Sequence, residues 1–195
     1  TINANGVKGD IFYTINDSKK PVKYTGAINL RNGGTITAWT KGNEWLKARQ
    51  SFSRIESIPL SVVFASSQES GEGNSVHLTD GNPDTYWHTM YSVTVANPPH
   101  WVDFDCGSVK NIKGFTYLPR QNSNNGNIKK YTIQISNDGK TWSKPIAEGE
   151  FENNRKEKSI LLTTPVKARF IRFTALSEQN GQDFAAGAEF KVLEK

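Results

Sequence analysis

An all-β fold is what this sequence predicts, and three observations predict it. Apolar and polar residues alternate in short runs, as in Tyr131-Thr132-Ile133-Gln134-Ile135 and Phe170-Ile171-Arg172-Phe173, which is the period of a half-buried strand. Turn dipeptides punctuate those runs, among them Asn32-Gly33, Asp80-Gly81, Asn82-Pro83 and Asp138-Gly139. No segment sustains the 3.6-residue period of an amphipathic helix. Two β-sandwiches are expected, a small one over 1–59 and a larger jelly roll over 60–195.

The chain has 195 residues, 35% of them hydrophobic, with 16 glycines and 8 prolines. That composition belongs to a turn-rich globular protein rather than a disordered or coiled one, and the length suits one large or two small domains.

In the first unit, residues 10–15, 27–30 and 35–39 read as strands. Residues 45–55 read as a longer strand with Leu46, Ala48 and Phe52 on one parity. About sixty residues make a marginal core. Ile11-Phe12-Tyr13-Thr14-Ile15-Asn16-Asp17-Ser18, Tyr24-Thr25-Gly26-Ala27-Ile28-Asn29-Leu30 and Thr35-Ile36-Thr37-Ala38-Trp39 resemble the Ig-like module appended to chitobiases, β-hexosaminidases and other glycosidases. Asn16-Asp17 stands where that pattern has Asp-Gly. The resemblance implies a structural spacer. Ile58-Pro59-Leu60 marks the boundary with the second unit.

The second unit offers strands at 101–106, 112–118, 130–136, 159–163, 168–175 and 188–193. Asn137-Asp138-Gly139-Lys140 reads as a type I′ hairpin turn. On 101–106 alternation places Val102, Phe104 and Cys106 toward the core, and Asp103 and Asp105 toward solvent. Cys106 is the only cysteine, so it forms no intrachain disulfide and is expected as a buried, inert thiol. Trp87 and Trp142 are expected in the core. His100 is expected in a loop without a partner.

Between these strands, residues 77–91 cannot be ordinary helix or strand. The loop places oxygens from Asp80, Asp84 and Thr85 within six residues, beside carbonyls turned inward by two tight turns. Two readings stay open on the residues alone. The acids can cap backbone amides in Asx-turns, or the loop can hold a hard cation such as calcium, which takes six to eight oxygens.

The second unit also resembles a known family. Asp80-Gly81-Asn82-Pro83-Asp84-Thr85-Tyr86-Trp87-His88, Tyr117-Leu118-Pro119-Arg120-Gln121, Asn125-Gly126-Asn127-Ile128-Lys129-Lys130-Tyr131, Ser136-Asn137-Asp138-Gly139-Lys140-Thr141-Trp142, Ala168-Arg169-Phe170-Ile171-Arg172 and Ala188-Glu189-Phe190 occur in order. Together they are similar to discoidin, or F5/8 type C, domains, and more narrowly to the family 32 carbohydrate-binding modules. The resemblance implies a structural calcium held by Asp80 and Thr85 side chains, carbonyls of His77, Asn82 and Ala188, and the Glu189 carboxylate. It implies a sugar pocket in which His88, Arg120 and Asn125 bond hydroxyls, with Tyr91 and Phe184 as candidate stacking rings. It further implies terminal galactose, N-acetylgalactosamine or related sugars as ligand, and a catalytic glycosidase domain in the same chain. A monomer in a secreted, periplasmic or cell-surface bacterial protein is the expected setting.

Several function classes are disfavoured. Formal net charge is +5, but the first 60 residues hold nine of the 24 Lys and Arg against four of the 19 Asp and Glu. The remainder is balanced, and the basic residues are scattered rather than gathered into the stripe a nucleic acid needs. No run approaches the roughly 20 apolar residues that span a bilayer, and residues 1–6 lack a signal-peptide pattern. Neither G-x-S-x-G nor H-E-x-x-H occurs, and no carboxylate pair suggests glycoside hydrolysis. The competing expectation is a discoidin-like adhesion module for protein or membrane surfaces.

Overall fold

The computed structural model describes every residue except 1, 3–5, 7, 17, 29, 31, 32, 53–55 and 195, and the side chain of residue 56. Two compact units divide between residues 56 and 57.

The first unit is an antiparallel sheet of β1 (Ile11–Ile15), β2 (Val22–Lys23), β3 (Gly34–Thr40) and β4 (Ala48–Phe52), in the order β2-β1-β3-β4. The strand expected over 27–30 does not form at Ala27, Ile28 or Leu30; Asn29 lies outside the described residues. Val22 and Lys23 take its place opposite Tyr13 and Phe12, and the Tyr24 amide extends that pairing to Ile11 O at 2.8 Å. The strand expected over 45–55 shortens to β4, because Leu46 closes a turn onto Asn43 O at 3.0 Å; residues 53–55 lie outside the described residues. Trp45 is 81% exposed.

The second unit contains β5 (Glu56–Ile58), β6 (Ser61–Ala65), β7 (Trp87–His88), β8 (His100–Leu118), β9 (Lys130–Ser136), β10 (Ala147–Glu150), β11 (Lys158–Ala175), β12 (Ala186–Gly187) and β13 (Glu189–Glu194). A single 3-10 turn covers Ser75–Thr79. The main sheet runs β10-β9-β11-β8-β13-β5, with β6 also on β8, while β7 and β12 form a separate pair.

Expected strands 101–106 and 112–118 fuse into one long strand that bends at Gly107, φ 74°. Those at 159–163 and 168–175 fuse into β11, whose pairing with β8 shifts between Leu161 and Val166. One face of the sheet makes the core: Val102, Phe104, Phe115, Tyr117, Ile133, Ile171, Phe173, Phe190 and Val192 are at most 1% exposed. Phe190 stacks on Phe104 and Phe173 at 4.7 and 4.9 Å between ring centres. Cys106 joins this core, and burial pushes its thiol up to about 12.

Three expectations are corrected here. Asn137–Lys140 is not a two-residue type I′ hairpin, which needs two left-handed residues. Among these four only Gly139 is left-handed, and Asp138 Oδ1 caps the amides of Lys140 and Thr141 at 2.8 Å. The chain returns to β9 only at Ser143 and Ile146, whose amides bond Ile135 O and Ile133 O at 3.0 and 2.8 Å. Trp142, carried on this wider loop, is therefore half-buried rather than in the core; Trp87, at 1% exposure, is core as expected. Asp103 and Asp105 do face away from the core, but they are ion-paired to Arg172 and Arg169 at 2.7 and 2.8 Å rather than solvated.

Candidate functional site

The loop end of the second unit is built by three chain segments pinned together. β7 pairs with β12, setting His88 opposite Ala186. Thr89 N bonds to Ala185 O at 2.9 Å and Ala186 N to Gly126 O at 2.8 Å. Gly126 is required at that crossing: its φ is 80°, and a Cβ there would lie 2.7 Å from the Ala186 Cβ. These bonds bring His88, Asn125 and Phe184 together from positions up to 96 residues apart.

His88 lies at the floor, 0% exposed. Its Nδ1 sits 2.6 Å from Thr89 O, so it carries the ring proton, leaving Nε2 as acceptor 3.4 Å from the Asn125 amide nitrogen. Burial, aided by the nearby Arg120 charge, lowers its pKa below the ordinary value, so the ring is neutral at pH 7. Tyr91 stands edge-on to it at 5.1 Å and Phe184 lies tilted at 5.4 Å. Tyr91 is 42% exposed and Phe184 half-buried, so both rings form the surface above the imidazole. Arg120 lays its guanidinium on the Tyr86 ring at 3.7 Å, and Nε donates to Asn122 Oδ1 at 2.5 Å. All five expected sugar-binding residues thus reach one end of the fold. His88 lies beneath the surface, with its Nε2 facing the half-buried Asn125.

Sequence reasoning missed two acids and a histidine. Glu72 accepts the Tyr91 hydroxyl and is hydrogen-bonded by Tyr86. It holds the Tyr91 phenol at about 12. Glu69 accepts the amides of Tyr91 and Ser92 at 2.7 and 3.0 Å and the Ser92 hydroxyl at 2.5 Å, fixing the loop that carries Tyr91. His100 is no loose loop residue: it is buried, and its Nε2 meets Asp183 O at 2.7 Å, tethering the Phe184 loop. Their partners lie 14 to 83 residues away, and no local pattern signals that.

The expected cation loop forms the Asx-turns that the residues allow. Asn82 N bonds to Asp80 Oδ1 at 2.8 Å and Asp84 N to Asn82 Oδ1 at 3.1 Å. Asp80 Oδ2 and Asn82 O both take the Thr85 hydroxyl, at 2.7 and 2.9 Å. Glu189 arrives from β13, 4% exposed, facing Asp80, with Oε1 buried and unpartnered. Burial first, and the Asp80 charge next among the raising influences, push its carboxyl above the ordinary range. Two facing carboxylates with an orphaned oxygen fit a cation. No group of three or more His, Cys, Asp or Glu placed to hold a metal ion exists among the described residues, so the donor set would be rich in carbonyl and hydroxyl oxygens, as hard cations accept. His77 uses its ring Nδ1 on Tyr86 O at 3.0 Å, and the Ala188 amide bonds to Leu118 O at 2.8 Å.

Known proteins resemble this chain in the same region. It is 32% identical to a sialidase of Micromonospora viridifaciens over 189 residues, which cover 95% of this chain and 28% of the relative. It is 37% identical to a galactose oxidase of Gibberella zeae over 136 residues, 68% of this chain and 19% of the relative. The chain therefore spans less than a third of these relatives. Among solved structures, a family 32 module of Clostridium perfringens NanJ in complex with galactose matches with TM-score 0.65 and 31% identity, covering 72% of this chain and 99% of that one. The Clostridium perfringens module CpGH89CBM32-5, in complex with GalNAc-β-1,3-galactose, matches with TM-score 0.64 and 31% identity, covering 70% and 99%. The F5/8 type C domain model matches residues 63–190, and with that match the chain belongs to the F5/8 type C domain family.

Proposed function

We propose that this chain is a non-catalytic carbohydrate-binding module whose loop end holds one terminal galactose or N-acetylgalactosamine residue. The observation that carries this reading is the gathering of a neutral His88, Asn125, Arg120 and Glu72 beneath and beside the rings of Tyr91 and Phe184. A sugar needs this mixture: fixed donors and acceptors for adjacent hydroxyls and a ring face for its C–H surface. Ligands named for the two Clostridium perfringens modules support the galacto assignment. Polar sugars exchange water for protein hydrogen bonds at small net gain, so Kd falls on the order of 0.1–1 mM.

In this reading a calcium ion at Asp80, Thr85 and Glu189, with carbonyls of His77, Asn82 and Ala188, clips β13 to the loop without taking part in binding chemistry. The first unit acts as the Ig-like spacer, and an attached glycosidase domain gains local substrate concentration by tethering. A monomeric bacterial protein that is secreted, periplasmic or at the cell surface follows from the same reading.

The test is an NMR titration with galactose, N-acetylgalactosamine, N-acetylglucosamine and glucose. Shifts at His88, Arg120, Asn125 and Phe184, strongest for the two galacto sugars, are expected and should vanish in Arg120→Ala. No response to any sugar, or normal binding by that variant, would overturn the site.

One observation favours the adhesion reading as the alternative. The segment after Tyr91 exposes Val93 (84%) and Val95 (45%). Pelleting with liposomes, lost in Val93→Asp and unaffected by galactose, would favour that alternative.

A further inference from the structure

The solvent side of the main sheet carries a second aromatic surface, which shares no residue with the loop end. Strand register explains its sidedness. Phe64 on β6 and Arg172 on β11 both lie opposite Asp103 on β8, and Trp101 lies two residues along the same face. Their chain neighbours Val102, Phe104, Ile171 and Phe173 point into the core. A solvent-facing sheet surface is ordinarily polar. Here Phe64 is 51% exposed and stacks on Trp101 at 6.1 Å and 29°. The Arg172 guanidinium lies over Trp101 at 5.2 Å and over Trp142 at 4.3 Å. Asp103 grips Arg172 through two bonds of 2.7 and 2.8 Å, so the rings beside it are held in fixed planes. Together these groups line a groove of about 540 Å³ that Phe170, Asp138 and Lys140 complete, a size usual for small-ligand sites.

The lining chemistry selects the occupant. Two carboxylates, Asp103 and Asp138, balance two cations, Arg172 and Lys140, which does not suit an anionic polymer. Charged groups interleave with the rings, so no continuous apolar strip greets an amphipathic helix. The Trp101 indole N–H is itself buried and without an acceptor among the described residues, so it is the ring face rather than the N–H that meets the groove. Rigid ring faces edged by polar groups match a pyranose, which offers C–H faces to the rings and hydroxyls to the edges. The lining draws on β6, β8 and β11 and on the loop after β9. Four neighbouring chain paths span roughly 14 Å at the usual strand spacing, longer than one sugar ring.

We propose that this sheet face is a second carbohydrate subsite, built for an internal stretch of a neutral oligosaccharide and independent of the loop-end pocket. The test follows the indole N–H signals of Trp101 and Trp142 in the full chain during titration with galactose and with the neutral N-acetylglucosamine tetramer. The tetramer should move both indoles, and galactose neither. The response should persist in Arg120→Ala and weaken at least about tenfold in Trp142→Ala. Phe64→Ala removes an exposed ring and should weaken it similarly even if Trp142→Ala fails to fold. Indoles unmoved by the tetramer would overturn the subsite. So would a response abolished by Arg120→Ala, which would relay from the loop end, or one reproduced by dilution alone, which would place a second copy of the chain in the groove.

Discussion

Arg120 and Arg172 both lie against aromatic rings in the second unit, yet they are built for different work. Arg172 stands in the middle of the sheet, gripped at two nitrogens by Asp103 and laid against Trp101 and Trp142. Its charge is neutralised where it stands, and what it presents is the ordered set of rings. Arg120 sits at the end of β8, its flat face on Tyr86, with Nε on a neutral asparagine and no ion pair among the described residues. Its charge reaches Glu72 and His88 instead. The difference teaches that a paired arginine stabilises a surface, whereas one braced by stacking keeps donors for a ligand.

The comparison breaks most readily at Asp103. Asp103→Ala leaves Arg172 in a largely buried position without its partner, and the second unit should lose about 3 kcal/mol by denaturant unfolding. An unchanged midpoint would make the pair ornamental. Withdrawing calcium comes next. If Asp80, Thr85 and Glu189 hold the ion, saturation at one hundred times Kd contributes about 2.7 kcal/mol, so chelation should lower Tm and elemental analysis should find one calcium per chain. Arg120→Ala should do the reverse of Asp103→Ala, weakening galactose at least about tenfold, roughly 1.4 kcal/mol, with Tm unchanged. A smaller effect sharpens the electrostatic side. Burial lowers the His88 pKa below 6.5, so in acid the unfolded chain binds a proton before the folded one does. Stability contributed by His88 is thus present at neutral pH and declines as pH falls below about 6.5. Protonation also removes the Nε2 acceptor, so galactose affinity should be level between pH 7 and 8 and fall in acid. An affinity that rose in acid would mean that His88 donates as a cation.

Much of this architecture is legible along the chain because a strand writes its sidedness in alternate residues. Val102, Phe104 and Cys106 went to the core, and the strand over 130–136 formed with those bounds. The same alternation put Asp103 and Asp105 on the outer face, but not their arginines, since Arg172 and Arg169 lie more than sixty residues away. Turns were less legible. Asp138-Gly139 suggests a tight hairpin, but the Asp138 carboxylate captures the following amides and widens the loop. That widening carries Trp142 out of the core and onto the groove. His100 had no visible partner because its partner is a backbone carbonyl, which no residue type advertises.

By itself the sequence determined the all-β class and the core face of the long strands, because side-chain period is a property of the chain. Only the tertiary structure decided that His88 is the floor and Tyr91 and Phe184 the surface, that Glu69, Glu72 and His100 brace them, and that Trp101 and Trp142 share an arginine across the sheet. Those relations are set by strand register and loop closure between distant segments, where hydrogen bonds and burial act in space and leave no local trace.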